Sequence, residues 1–150
     1  MPYIYEYPRP AVTTDAVIFR NNGNQPEILL IQRGQPPFKG MWAIPGGFID
    51  LNEELIDSAG RELKEETGLV NISLKEFGVY GKVGRDPRHR TITVAFAGLL
   101  EIDGMKAVAN DDAAACEWFK TDQLPEMAFD HDVILKDAID FAGRQGWINP

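Results

Sequence analysis

The sequence predicts an α/β fold, a mixed sheet covered on two faces by helices. Three observations carry this. Strand-length apolar or alternating runs occupy Val12–Phe19, Glu27–Gln32 and Thr91–Leu100. Two other stretches, Glu54–Thr67 and Val133–Phe141, repeat at helical spacing instead. Strands lie before, between and after these helices, an order that stacks helices on both sides of a sheet.

Each element has its own warrant. Val12–Phe19 is the first strand, NNGNQ a turn, and EILLIQ (Glu27–Gln32) the second strand. Gly34–Gly40, with Pro36-Pro37, is a loop. Glu54–Thr67 is rich in good helix formers and holds one internal glycine, Gly60. At ~100° per residue, Ile56, Ala59 and Leu63 share a core-facing stripe. Thr67-Gly68 stops this helix, with glycine where a left-handed cap is usual. Ile72–Val83 is a strand or a pair of strands, and TITVAFAGLL (Thr91–Leu100) is β-branched and apolar enough to be buried. Ala114–Phe119 is a shorter strand. Ile134, Ala138 and Phe141, at i, i+4 and i+7, mark the last helix.

Composition narrows the function. The 150 residues are expected to form one domain spanning 1–150, large enough for a core. No apolar run approaches the ~20 residues of a membrane helix, and the N-terminus lacks the basic and apolar regions of a secretory signal. The lone Cys116 excludes an internal disulfide and sits as a buried, inert thiol; a cytoplasmic location fits. The net charge of −8 disfavours a nucleic-acid partner, which needs a basic face. Tyr3-Ile4-Tyr5-Glu6-Tyr7 is read either as a strand exchanged across a homodimer or as a terminus folded back on its own domain.

The acidity is concentrated. GFIDLNEELIDSAGRELKEETGL (Gly47–Leu69) holds seven acids against Arg61 and Lys64, a net of −5. Glu62, Glu65 and Glu66, at i, i+3 and i+4, project together from one helix face. Such hard oxygen ligands suit Mg²⁺ or Mn²⁺. A solvated acidic face would account for the three glutamates alone. It leaves unexplained Gly46-Gly47 before the helix, Arg61 among the acids, and Glu53 eight residues upstream of it.

Gly47, Glu53, Arg61-Glu62-Leu63, Glu65-Glu66 and Gly68-Leu69 together resemble the Nudix box without departure, and Trp42–Gly46 resembles its lead-in. The resemblance implies an α/β/α sandwich and a metal-dependent hydrolase of a nucleoside diphosphate linked to another group. It implies Glu62 and Glu66 as the foremost metal ligands, then Glu65, with the Gly47 carbonyl as a fourth. Arg61 orients the helix by pairing with Glu53. The general base falls on a box glutamate or on a loop acid elsewhere. Asp112, in ANDDAAACEWF, is the loop candidate, although ordinary loop polarity accounts for it equally; Glu117 is a weaker one.

A second constellation is basic. KVGRDPRHR carries Lys82, Arg85, Arg88 and Arg90 against Asp86 alone. Guanidinium forks match phosphate oxygens, but a solvated hairpin tip explains the spacing as well. Here resemblance decides. GRDPRHR and LPEMAFDH (Leu124–His131) are similar to segments of bacterial Nudix proteins associated with ADP-ribose, with Met127 in place of the usual leucine. That implies ADP-ribose as substrate, with Arg85, Arg88 and Arg90 binding it. Trp42 and Phe48 flank the lead-in glycines and either stack on a base or pack inside. His131 starts the last helix beside Asp130 and Asp132, which read as N-cap residues, and is assigned a structural or substrate-orienting role ahead of a base.

Two other readings stay open. One is a Nudix hydrolase of a nucleoside triphosphate or dinucleotide. The other is a ligand-sensing regulator, since similar domains occur fused to DNA-binding modules. The intact glutamates, the acidic balance and the lack of room after the last helix favour catalysis.

Overall fold

Strand β1 (Ala11–Asn22) is the axis of the fold, and its residues face alternate sides. The computed structural model describes residues 2–101 and 113–149. The further strands are β2 (Gln25–Arg33), β3 (Trp42–Ala43), β4 (Gly46–Phe48), β5 (Leu74–Tyr80), β6 (Thr91–Leu99) and β7 (Ala113–Lys120). The helices are α1 (Leu55–Thr67) and α2 (His131–Arg144). Among the described residues the strands form one seven-stranded sheet in the order β3-β2-β1-β6-β5, with β4 added on β1 and β7 on β2. The β1 and β6 strands run parallel and the other pairs antiparallel, so the sheet is mixed.

The alternation along β1 sorts the core into two layers. Ala16 and Ile18 join Leu29, Val94 and Phe96 under Ala59 and Leu63 of α1. Val17 and Phe19 face the other way, with Ile28, Leu30, Ala95 and Ala97, against Ile134, Leu135, Ala138 and Ala142 of α2. Each fully buried Ile or Leu contributes roughly 1.5–3 kcal/mol. This is an α/β/α sandwich.

Several boundaries move, for local reasons. The β1–β2 hairpin tightens to a two-residue turn because Asn22 pairs with Gln25 across Gly23, which takes φ +64°. Ile72–Val83 holds one strand, β5, with an irregularity at Phe77. The α1 stripe is Leu55, Ala59 and Leu63, with Ser58 and Thr67 also buried, while Ile56 is 47% exposed. The expected stripe was off by one residue at its first turn, where Leu55 sits four residues before Ala59. In α2, Ile134 and Ala138 are buried and Phe141 packs at the margin. The N-terminal Tyr3, Ile4 and Tyr7 join no strand of this chain's own sheet and are exposed, Ile4 94% so. No helix among the described residues is long and apolar enough to cross a membrane.

One feature of the sheet aims the site. The start of β1 pairs with β4 (Thr14 opposite Gly47), and its end pairs with β2 (Phe19 opposite Ile28). Strand β2 in turn leaves β1 to pair with β3 at Ile31 and Gln32. The two long strands therefore splay apart, and Trp42–Phe48 fills the gap. Strands of two and three residues carry no periodic signal, so this wedge was not legible in the sequence.

Candidate active site

The wedge delivers Gly46 and Gly47 to the acidic face of α1. Neither has room for a side chain unless a neighbour moves. A Cβ on Gly46 would strike the backbone carbonyl of Thr14 and the Asp15 carboxylate. One on Gly47 would lie 2.6 Å from Cδ and Oε1 of Glu62. Glu66 Oε1 accepts the Gly46 N–H at 2.8 Å, which anchors the wedge to the helix.

Arg61 organises the acids around it. Its Nε donates to Glu53 Oε2 at 2.7 Å and its Nη2 to Glu53 Oε1 at 3.0 Å, a two-pronged pair. The same guanidinium donates to Glu62 at 2.9 Å, to Glu65 at 3.3 Å and to the Phe48 carbonyl at 3.1 Å. Hydrogen bonding by Arg61 holds the Glu53 carboxyl down at about 2, and Glu53 in turn raises Arg61. Burial raises Glu62 against the pull of Arg61. Glu66 is pushed up to about 8, first by burial and then by Glu62 and Asp15, with the Gly46 bond opposing.

Those shifts bear on a metal. The group raised most, Glu66, stands beside Glu62 and Asp15, and carboxylate donors of this kind suit a hard divalent ion. The donor set fits in kind. It is not a closed cage, since among the described residues no three acidic, His or Cys side chains are grouped to hold an ion. Glu62 and Glu65 instead lean on Arg61.

The basic loop is tied down. The Arg85 side chain is 4% exposed, and its Nε and Nη2 both donate to Asp130, at 3.0 and 2.7 Å. Arg88 grips the buried Asp86 with its backbone N–H (2.9 Å), Nε (3.1 Å) and Nη2 (2.8 Å). Burial raises the Asp86 carboxyl, but these bonds lower it overall. Arg90 is exposed and lies outside the lining of the cleft described below. Asp130 does occupy the N-cap position of α2, yet makes no side-chain cap bond, because Arg85 takes its carboxylate.

His131 is fully packed. Its Nδ1 accepts the Ile44 N–H at 3.0 Å, so the ring is neutral with its proton on Nε2. Burial lowers its pKa, with Asp15 opposing. Asp15 is raised by burial and accepts the Thr93 hydroxyl at 2.6 Å.

A cleft of about 500 Å³ joins these parts. Glu62, Glu65, Glu66 and Gly47 line one side and Arg85, Asp86 and Arg88 another. Phe48, 40% exposed, and Phe129 also line it, and the Arg88 guanidinium lies 5.4 Å from one ring centre and 5.7 Å from the other. Trp42 instead packs edge-on against Phe119, away from that lining. Of the other sequence candidates, Glu117 is an exposed residue of β7 opposite Leu30, and Asp112 lies outside the described residues. Sequence reasoning passed over Asp15, Arg33 and Phe129, which also line the cleft. Asp15 did leave a signal, as a charge inside the apolar run of β1.

A NUDIX domain profile matches residues 9–138. The chain belongs to the Nudix family. The profile and the relatives that follow make it a Nudix hydrolase. The chain is 43% identical to an ADP-ribose pyrophosphatase of Methanocaldococcus jannaschii, over 87% of this chain and 74% of the relative. It is 36% identical to an ADPR-responsive transcriptional repressor of Acinetobacter baylyi, over 89% of this chain and 54% of the repressor. The Nudix domain of Shewanella oneidensis NrtR, solved with ADP ribose, superposes with a TM-score of 0.81 at 28% identity, covering 90% of each chain. A bifunctional NMN adenylyltransferase/ADP ribose pyrophosphatase of Francisella tularensis, solved with AMP and a manganese ion, gives 0.77 at 27% identity, over 93% of this chain and 44% of that one.

Proposed function

We propose that this Nudix hydrolase cleaves ADP-ribose to AMP and ribose 5-phosphate in a reaction that depends on Mg²⁺ or Mn²⁺. The observation that carries the reading is the meeting of the box carboxylates, the Arg88 cation and the Phe48 ring in one cleft. Their chemistries match a metal-bound diphosphate, its anionic flank and a purine face. The identity to the Methanocaldococcus pyrophosphatase supports the choice of substrate.

Glu62, Glu65 and Glu66, with the Gly47 carbonyl, would hold the ion. When bound, it offsets the charge of the diphosphate and lowers the pKa of a water. The chain does the rest. Arg61 keeps Glu62 and Glu65 oriented through its own bonds, and Glu53 fixes Arg61. Arg88, more than a third exposed, turns toward a phosphate at the cost of one Asp86 contact. Phe48 offers its face to the base. Arg85 lines the basic flank, Arg90 adds positive charge from outside the cleft lining, and Asp112 is the loop acid proposed as general base. The reading also takes residues 1–150 as one domain with no nucleic-acid or membrane partner.

Product analysis with Mg²⁺ tests this, using ADP-ribose, NADH, diadenosine polyphosphates and nucleoside triphosphates. Preferential release of AMP from ADP-ribose, abolished by Glu66→Gln, is expected. Turnover of another compound would overturn the substrate and retain the hydrolase. The likeness to the Acinetobacter repressor favours one second reading, a sensor of ADP-ribose. Tight ADP-ribose binding without turnover of anything would establish it.

A further inference from the structure

The LPEMAFDH stretch is hydrogen-bonded both to the wedge and to the basic loop, two segments that line the cleft. Its backbone pairs with the wedge: Ala128 N–H donates to the Trp42 carbonyl at 2.7 Å, and Trp42 bridges Met127 in parallel register. Its His131 Nδ1 accepts the Ile44 N–H two residues before Gly46. Its Asp130 takes the two-pronged grip of Arg85 from the basic loop. Between these contacts Phe129 adopts φ +54°, a conformation that L side chains rarely hold unless their surroundings require it. That turn lets Phe129 line the cleft while Ala128 before it and His131 two residues on stay buried.

A ring nitrogen, a carboxylate and a backbone bridge within five residues therefore lock two segments that are far apart in sequence. The Arg85–Asp130 pair is also poorly placed for direct work on a substrate. Two nitrogens of its fork are spent on Asp130, and little of the side chain reaches solvent. Removing one partner of such a buried pair strands the other charge.

We propose that Asp130 and His131 are positioning residues that brace the two walls of the cleft, and that Arg85 serves turnover through Asp130 instead of by contact with substrate. This rests on the hydrolase reading above and revises its assignment of Arg85. The outcome has two independent readouts.

The first is a double-mutant cycle on the whole chain with Mg²⁺ and ADP-ribose, comparing Arg85→Gln, Asp130→Asn and the pair. The brace predicts that each single change lowers kcat/KM by a similar factor, about tenfold or more, and that the pair loses no more than the worse single. Direct phosphate binding by Arg85 predicts otherwise, and either of two results would overturn the brace: Asp130→Asn at wild-type kcat/KM, or losses that multiply. Melting curves accompany every variant. Should Arg85→Gln not fold, Arg85→Lys takes its place; it keeps the charge and loses the fork, and must still lose kcat/KM.

The second readout needs no substrate. Amide hydrogen exchange at Ile44 should quicken in Arg85→Gln and Asp130→Asn as well as in His131→Ala. Wild-type exchange in the first two would sink the brace. A wild-type protein that fails to turn over ADP-ribose would refute the substrate alone, and Ile44 exchange would then decide the brace.

Discussion

Glu66→Gln should stabilise the metal-free protein while destroying its activity. The Glu66 carboxyl is held at about 8, against 4.5 in an unstructured chain. The unfolded chain therefore ionises at pH 7 while the folded one keeps a proton. The sign follows from linkage: this raised carboxyl costs nothing below pH ~4.5, costs progressively more as pH rises, and reaches its full cost above pH ~8. At pH 7 the cost is about 3 kcal/mol, and solvent reaching the half-buried group trims it to about 2 kcal/mol. Glutamine cannot ionise, and its Oε1 still accepts the Gly46 N–H. At 2–4 °C per kcal/mol for a chain of this size, the variant should melt roughly 4–8 °C above wild type at pH 7 in EDTA. The gap should close near pH 4.5 and widen to pH 8. Millimolar Mg²⁺ should raise the wild type and leave the variant unmoved. Melting curves from pH 4.5 to 8.5 give the answer. A variant no more stable than wild type at pH 8, or a gap independent of pH, would refute the argument from burial.

The remaining expectations concern neighbours of the same site. Gly47→Ala pushes on the mobile end of Glu62 and should cut metal affinity or activity about 10–100-fold with little change in melting. Gly46→Ala meets backbone instead, so it should destabilise the fold by about 1–3 kcal/mol, seen in urea titration. Glu53→Gln should lower the melting temperature at pH 7. Because the Glu53 pKa is depressed, that loss belongs above pH ~4.5 and should vanish as pH falls toward 2. Cys116, its thiol pushed up to about 11 by burial, should resist iodoacetamide at pH 8 until the protein unfolds; rapid native labelling would contradict this.

Much of the site was legible because its parts are local. Glu53, Arg61, Glu62, Glu65 and Glu66 lie on one helix and the loop before it, so spacing alone placed them together. The two-layer sheet was legible from strand and helix periods, and β1 shows why: alternate residues of one strand supply both cores. Ile56 shows the limit, since periodicity marks a stripe but not its edge. Arg85 shows another. Its sequence neighbours read as a free cationic loop, and the carboxylate that claims it sits 45 residues away.

The sequence by itself thus determined the family, the layered fold and the acidic helix, because each is written in short windows where side chains at fixed offsets must meet. The tertiary structure alone decided what Asp130, His131 and Asp15 touch. His131 meets Ile44 across 87 residues, and Asp15 meets Thr93 across 78. Such contacts depend on how β1 and β2 splay and where the chain returns, and no local pattern encodes that.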